Sequence, residues 1–223
     1  GVPRDRCIKR TSIGVLPSSW ELRQVEDLAR FSGGHGFRPP DWSDKGLPII
    51  RIQNLNGSTD FNYYSGPVDP RWVVQPGTLL FSWAGTRGIS FGPTFWNGPT
   101  GLLNQHIWRV EPLPDVDVAF LYWTLWNVTA GIESQAHGFK PSLVHVHKSA
   151  ITTATVPYPP ASAQQEIITV GDSFRKRIDI ERGCLKQLVA TKYALSQALL
   201  TGRVRVKAPL TAATRTSRHS STR

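Results

Sequence analysis

The feature that most limits the fold is the stretch from Ala161 to Leu200, which follows the proline cluster Pro157-Tyr158-Pro159-Pro160. Read in heptads from Phe174, one seam position takes Phe174, Glu181, Leu188 and Leu195, and the other takes Ile178, Leu185, Lys192 and Leu199. Six of these eight are apolar, the spacing of a coiled coil with two polar interruptions. A helix from Gln164 to Leu200 is about 55 Å long, beyond the reach of a domain this small. Its stripe of Phe174, Ile178, Leu185, Leu188, Leu195 and Leu199 needs a second helix to keep water away. The sequence holds one such segment, so the expected cover is another chain, and a helix folded back on its own domain is the alternative. Ser162 is placed to cap the helix start, and Gly202 follows the last apolar residue as a stop.

Ahead of the helix the chain divides into an entry segment, residues 1–19, and a mixed region rich in Gly, Pro and aromatics, residues 20–160. The helical segment covers residues 161–202, and a basic tail, expected to be disordered, covers residues 203–223. Within the mixed region, Glu21–Phe31 reads as a strand or short helix. Leu47–Ile52, Thr78–Trp83, Leu103–Val110 and Ile151–Val156 read as strands. Val118, Leu121, Tyr122, Leu125 and Trp126 have helical spacing inside Val116–Val128. The fold class expected is α+β, one mixed domain followed by a long helix of coiled-coil type.

A net charge of +10 invites a nucleic-acid partner, yet its distribution weakens that inference. The tail from Gly202 to Arg223 carries six basic groups and no acids, whereas residues 21–163 hold ten basic and eleven acidic side chains. The excess therefore sits at the ends, where it can add phosphate affinity and cannot read sequence. Two distant cysteines, Cys7 and Cys184, argue against a disulfide framework and for a reducing cytoplasm. No apolar run approaches the roughly 20 residues of a membrane helix, and the basic start lacks the apolar core of a leader.

Motifs of catalysis are missing. There is no Gly-x-x-x-x-Gly-Lys-Ser/Thr loop, no Asp/Glu-x-Lys nuclease triplet and no Gly-x-Ser-x-Gly elbow. Arg38-Pro39-Pro40-Asp41 lacks both flanks of the element that holds a flipped adenine in methyltransferases. His145 and His147 share a strand face without the Cys, Asp or Glu that would complete a metal set. No cofactor is expected, and the pattern favours a binding protein over an enzyme.

Several loops carry the side chains that binding to bases needs. Arg51, Gln53 and Asn54 follow a strand, and arginine pairs with guanine edges as glutamine or asparagine does with adenine edges. The competing reading is that Gln53 and Asn54 cap a turn. Trp83, Thr86 and Arg87 lie in a small-residue loop, Trp83-Ala84-Gly85-Thr86-Arg87-Gly88, and Gln105 interrupts an apolar strand within Asn104-Gln105-His106. Lys140 and Ser142 belong to Ala136-His137-Gly138-Phe139-Lys140-Pro141-Ser142, while Arg38 and Lys45 supply cations ahead of the first core strand.

Taken together, the segments resemble the specificity subunits of type I restriction–modification systems. Ile13-Gly14-Val15-Leu16-Pro17-Ser18-Ser19-Trp20-Glu21 resembles the entry to their target-recognition domain, and Gly46-Leu47-Pro48-Ile49-Ile50-Arg51-Ile52-Gln53-Asn54-Leu55 their first core strand. Pro76-Gly77-Thr78-Leu79-Leu80-Phe81-Ser82 and Leu103-Asn104-Gln105-His106 resemble the middle elements. Val156-Pro157-Tyr158-Pro159-Pro160 with Gln164-Gln165-Glu166-Ile167 resembles the junction into the spacer helix, and Leu199-Leu200-Thr201-Gly202-Arg203-Val204-Arg205-Val206 the usual ending. Ala163 departs from the family, standing where that junction usually has Glu. The resemblance implies a non-catalytic reader of double-stranded DNA that grips the major groove. It implies methyltransferase and restriction/translocase subunits as partners, and a half-subunit or one half of a longer protein, since full-length members carry two recognition domains. Other classes stay open: an assembly module that never touches DNA, or an enzyme whose site the motifs do not reveal.

Overall fold

The computed structural model describes residues 7–86, 88–135 and 144–205. Arg87, Lys140, Ser142 and the tail beyond residue 205 lie outside them. The chain order is β1 (Ile8–Thr11), β2 (Gly14–Pro17), β3 (Glu21–Gln24), β4 (Ala29–Gly33), β5 (Leu47–Ile50), α1 (Ile52–Leu55) and β6 (Asn62–Tyr64). There follow β7 (Val73–Val74), β8 (Leu79–Ser82), β9 (Ala84–Gly85), β10 (Gly92–Phe95), β11 (Gly101–Leu103) and β12 (Ile107–Pro112). The last elements are α2 (Val118–Gln135), β13 (Val144–His145), α3 (Lys148–Thr152), β14 (Thr155–Tyr158) and α4 (Ala161–Leu200). The chain is thus α+β, and it resolves into two units, residues 1–172 and 173–223.

Two four-stranded sheets organise the first unit, one ordered β10-β8-β12-β4 and the other β6-β5-β11-β7. Strand β8 lies at the centre of the packing, with Leu79, Leu80, Phe81 and Ser82 all buried. Side chains alternate along a strand, so Leu79 and Phe81 face one core with Trp108, Val110, Leu121 and Leu125, the last two from α2. Leu80 faces the other, with Ile50, Val74, Trp96, Leu103 and Ile107. A strand buried on both faces reads as an unbroken apolar run, as this one does. The second sheet repeats the alternation: Ile50 and Leu103 join the inner core while Ile49 and Leu102 turn to a third cluster with Phe37. These pairs are held in parallel register, Leu102 beside Ile49 and Leu103 beside Ile50.

Three expected strands come out differently, each for a local reason. Leu103–Val110 is not one strand but two in different sheets, β11 and β12. The chain turns at Asn104-Gln105-His106, where the Ile107 amide donates to the Asn104 carbonyl. Leu47–Ile52 ends at Ile50, because Asn54 Oδ1 captures the Arg51 amide at 2.9 Å and starts the single turn of α1. Ile151–Val156 divides into the end of α3 and the start of β14, with Ile151 buried from the helix and Val156 from the strand.

Three helix and end assignments also shift. Helix α2 starts at Val118 because Asp117 Oδ1 accepts the amides of Ala119 and Phe120, a side-chain cap. Helix α4 begins one residue before Ser162, so the Pro160 carbonyl rather than that hydroxyl takes the amides of Ala163 and Gln164. The entry segment carries a hairpin, β1 against β2.

Helix α4 spans 40 residues, and Gly202 ends it with φ +70 after the Gly202 amide bonds the Leu199 carbonyl. Phe174, Ile178, Leu185, Leu188, Leu195 and Leu199 are all exposed. Among the described residues, no helix is long and apolar enough to cross a membrane.

Gly34 sits where β4 leaves the sheet, and a Cβ there would overlap the carbonyl oxygens of Leu103 and Asn104. Gly131, on α2, has open space around the same position. Thermal denaturation should therefore separate the two: Gly34→Ala destabilises by about 1–3 kcal/mol through forced backbone displacement. Gly131→Ala stabilises by about 0.5–1 kcal/mol through helix propensity.

Candidate nucleic-acid interface

The turns at the ends of β5 and β11 bring together side chains some fifty positions apart. Arg51, Gln53, Asn104, Gln105 and His106 line one recess of about 220 Å³. Arg51 is aimed by two neighbours: its Nη1 donates to Asn62 Oδ1 at 2.7 Å, and its guanidinium lies 5.3 Å from the Trp42 ring centre. One bond to Asn62 leaves other donors of the guanidinium fork for a ligand. Gln53 is exposed, with a long 3.4 Å contact from Nε2 to the Asp60 carbonyl.

Asn54 is placed differently. It is buried, its Oδ1 accepts from the Arg51 amide, and its Nδ2 donates to the carbonyls of Ser58 at 3.1 Å and Asp60 at 2.9 Å. Both ends of this amide are spent on shaping the 51–60 turn, the competing reading that the sequence left open. The frame it builds presents Arg51 and Gln53.

On the other side of the recess, the Trp83 indole Nε1 donates to the Gln105 carbonyl at 3.1 Å, and the Trp83 amide donates to the His106 carbonyl. The Gln105 side chain is exposed and its Nε2 sits 3.3 Å from His106 Nε2. Burial holds the His106 imidazole below the ordinary histidine range, and the charges of His145 and Arg51 push it the same way. Its Nδ1 is enclosed with no partner among the described residues.

Thr86 follows β9, donating its amide to Ser90 Oγ at 2.7 Å and accepting three amides from residues 89–91. It therefore shapes the backbone of residues 89–91 that follows. Arg38 and Lys45 are exposed on the segment between β4 and β5. That segment lies beside the recess through Phe37, which lines it, and Gly36, whose Cβ would meet Gln105 Oε1 at 2.7 Å. The structure gives Arg38 and Lys45 no contact with the recess itself. Arg109, on β12, is tied to the carbonyls of Arg71 and Val73 and to Glu111.

Sequence reasoning missed Trp42, Asn62 and His145 as neighbours of this group. Only His145 left a signal, its polar placement within an apolar stretch. A second, larger recess of about 530 Å³ is lined by Trp20, Trp123, Trp126, Pro157, Pro159 and Val170. Its walls are mostly apolar, whereas the first recess is lined by guanidinium, amide and imidazole groups.

Comparison with known proteins gives the family and the fold. The family model described as the type I restriction modification DNA specificity domain matches residues 17–190. The specificity subunit of the type I restriction enzyme EcoBI from Escherichia coli is 24% identical over 192 residues, covering 85% of this chain and 39% of that protein. A putative specificity subunit, MjaX, from Methanocaldococcus jannaschii is 26% identical, covering 93% and 48%. The chain thus spans less than half the length of these relatives. Among solved structures, the HsdS subunit from Thermoanaerobacter tengcongensis aligns with a TM-score of 0.54 at 16% identity, over 74% of this chain and 39% of that one. A chain from a structure of type I R-M system assembly and conformational transition aligns with a TM-score of 0.57 at 17% identity, over 82% and 45%. These two likenesses carry the fold. With the family model matched across most of its length, the chain belongs to the type I restriction modification DNA specificity domain family.

Proposed function

We propose that this chain reads a double-stranded DNA sequence for a type I restriction–modification complex in the cytoplasm and catalyses nothing itself. In this role it directs methyltransferase subunits and a restriction/translocase subunit to the target. The observation that carries the reading is the convergence of Arg51, Gln53 and Gln105 on one polar recess at the strand ends. An arginine fork matches guanine O6 and N7, and a glutamine amide matches adenine N6 and N7. Residues 20–160 act as the recognition domain, and residues 161–202 act as the spacer and pairing helix. Arg38, Lys45, Trp83, Thr86, Arg87, Lys140 and Ser142 complete the proposed DNA-facing set. Asn54 serves it as the frame of the 51–60 turn.

The helix supports pairing because its exposed seam runs from Phe174 to Leu199. Two copies related by a twofold axis would read an inverted repeat with a fixed gap. The share of each relative that the chain covers favours a second reading, in which the seam packs on a helix from the other half of a two-domain subunit.

Selection from a random duplex library, with the chain co-expressed with its methyltransferase subunit, tests the function. A split motif of two inverted blocks is expected from self-pairing, and a single short block from the two-domain reading. A folded complex that enriches nothing overturns the DNA-reading role.

Within the recovered motif, Arg51→Ala should cost about 1–3 kcal/mol in competition binding and relax one base pair. Asn54→Ala should lower the thermal midpoint instead. Removing residues 207–223 should weaken all sequences alike and flatten the salt dependence, because those cations meet phosphates. In sedimentation equilibrium, Leu188→Glu should convert a dimer of the isolated chain to monomer, whereas a wild-type monomer at micromolar concentration would exclude self-pairing.

A further inference from the structure

Trp83, His106 and His145 form a cluster that the recess alone does not account for. They come from three segments: the residue after β8, the β11–β12 turn, and β13. The Trp83 ring centre lies 5.2 Å from His106 and 4.8 Å from His145, and the two imidazoles are 6.4 Å apart. From the other side the indole stacks on Trp108 at 5.9 Å, a residue of the buried core. Its backbone joins both segments as well, donating to the His106 carbonyl and accepting the Val146 amide.

Stability alone gives this arrangement little reason. Enclosing His106 Nδ1 without a partner is a cost, because a buried nitrogen loses its bond to water. His145 is exposed and its imidazole makes no hydrogen bond among the described residues. What the cluster does provide is two imidazoles at a fixed separation, His106 beside Arg51 in the recess with its Nε2 edge available, and His145 exposed. That separation is about two base-pair rises of 3.4 Å each.

We propose that His106 and His145 are further specificity-determining residues, each meeting the major-groove edge of a purine, and that Trp83 is the positioning residue holding both in register. A neutral imidazole carries one donor, and both purines offer N7 as an acceptor. The assignment rests on the DNA-reading role proposed above.

The test repeats the duplex selection with the co-expressed complex. His106→Ala and His145→Ala should each relax one purine position by about fivefold or more, with the two positions within three base pairs of each other. Trp83→Phe should relax both positions at once and leave the Arg51 position unchanged. His145→Gln, which keeps a side-chain donor, should retain part of the purine preference that His145→Ala loses, a rescue that a purely structural role would not give. A wild-type complex that recovers a motif, with histidine variants that recover the same motif, overturns this assignment and leaves the DNA-reading role standing. A wild-type complex that recovers nothing removes both.

Discussion

Everything in the first unit hangs on β8 being enclosed on both faces. With Leu79 and Phe81 committed to one core and Leu80 to another, the strand cannot slip by one residue without exchanging the two. Fixed register at β8 fixes its neighbours β10 and β12, and through the inner core it fixes β5 and β11 of the second sheet. The ends of those strands are where the recess residues emerge. Arg51 is the first residue past β5, Asn104 the first past β11, and Trp83 the first past β8. A rigid interior therefore fixes where three turns present their side chains, a condition the proposed base reading requires.

Given that frame, the local interactions divide into those that aim a side chain and those that present one. Asn54 spends all its capacity on backbone groups, which costs a potential reader and gains a defined turn. Asn62 and Trp42 hold the Arg51 guanidinium from two sides, so less of its rotamer freedom remains to be lost on binding. Trp83 performs the same service for two segments at once while packing against the core.

How much of this could be read from the sequence follows from the kind of information each element leaves there. Helix α4 was legible because its seam repeats over many turns and Gly202 closes it. The central strand β8 was legible because two buried faces leave an unbroken apolar run. The switch between β11 and β12 was not, since periodicity registers Leu103–Val110 as one alternating stretch and has no signal for a change of sheet. The polar triplet Asn104-Gln105-His106 marked the place without stating its cause. Asn54 was ambiguous for a chemical reason: the same amide that can read adenine can cap a turn, and only the carbonyls of Ser58 and Asp60 decide it. The partnership of His145 with Trp83 depends on the short pairing of β13 with β9, two residues each, too brief for any pattern to show.

The charge distribution bears on what kind of binding such a frame supports. Basic and acidic side chains nearly balance across residues 21–163, so the domain brings little general attraction for phosphate. Phosphate affinity that does not come from the domain must come from the ends of the chain or from partner subunits, and it would be blind to sequence. Discrimination then rests on a few oriented groups, for which misplacement is as damaging as removal. On the proposed reading, aiming residues such as Asn54, Asn62 and Trp83 matter as much as Arg51 or Gln105, because each holds a turn on which the contacts depend.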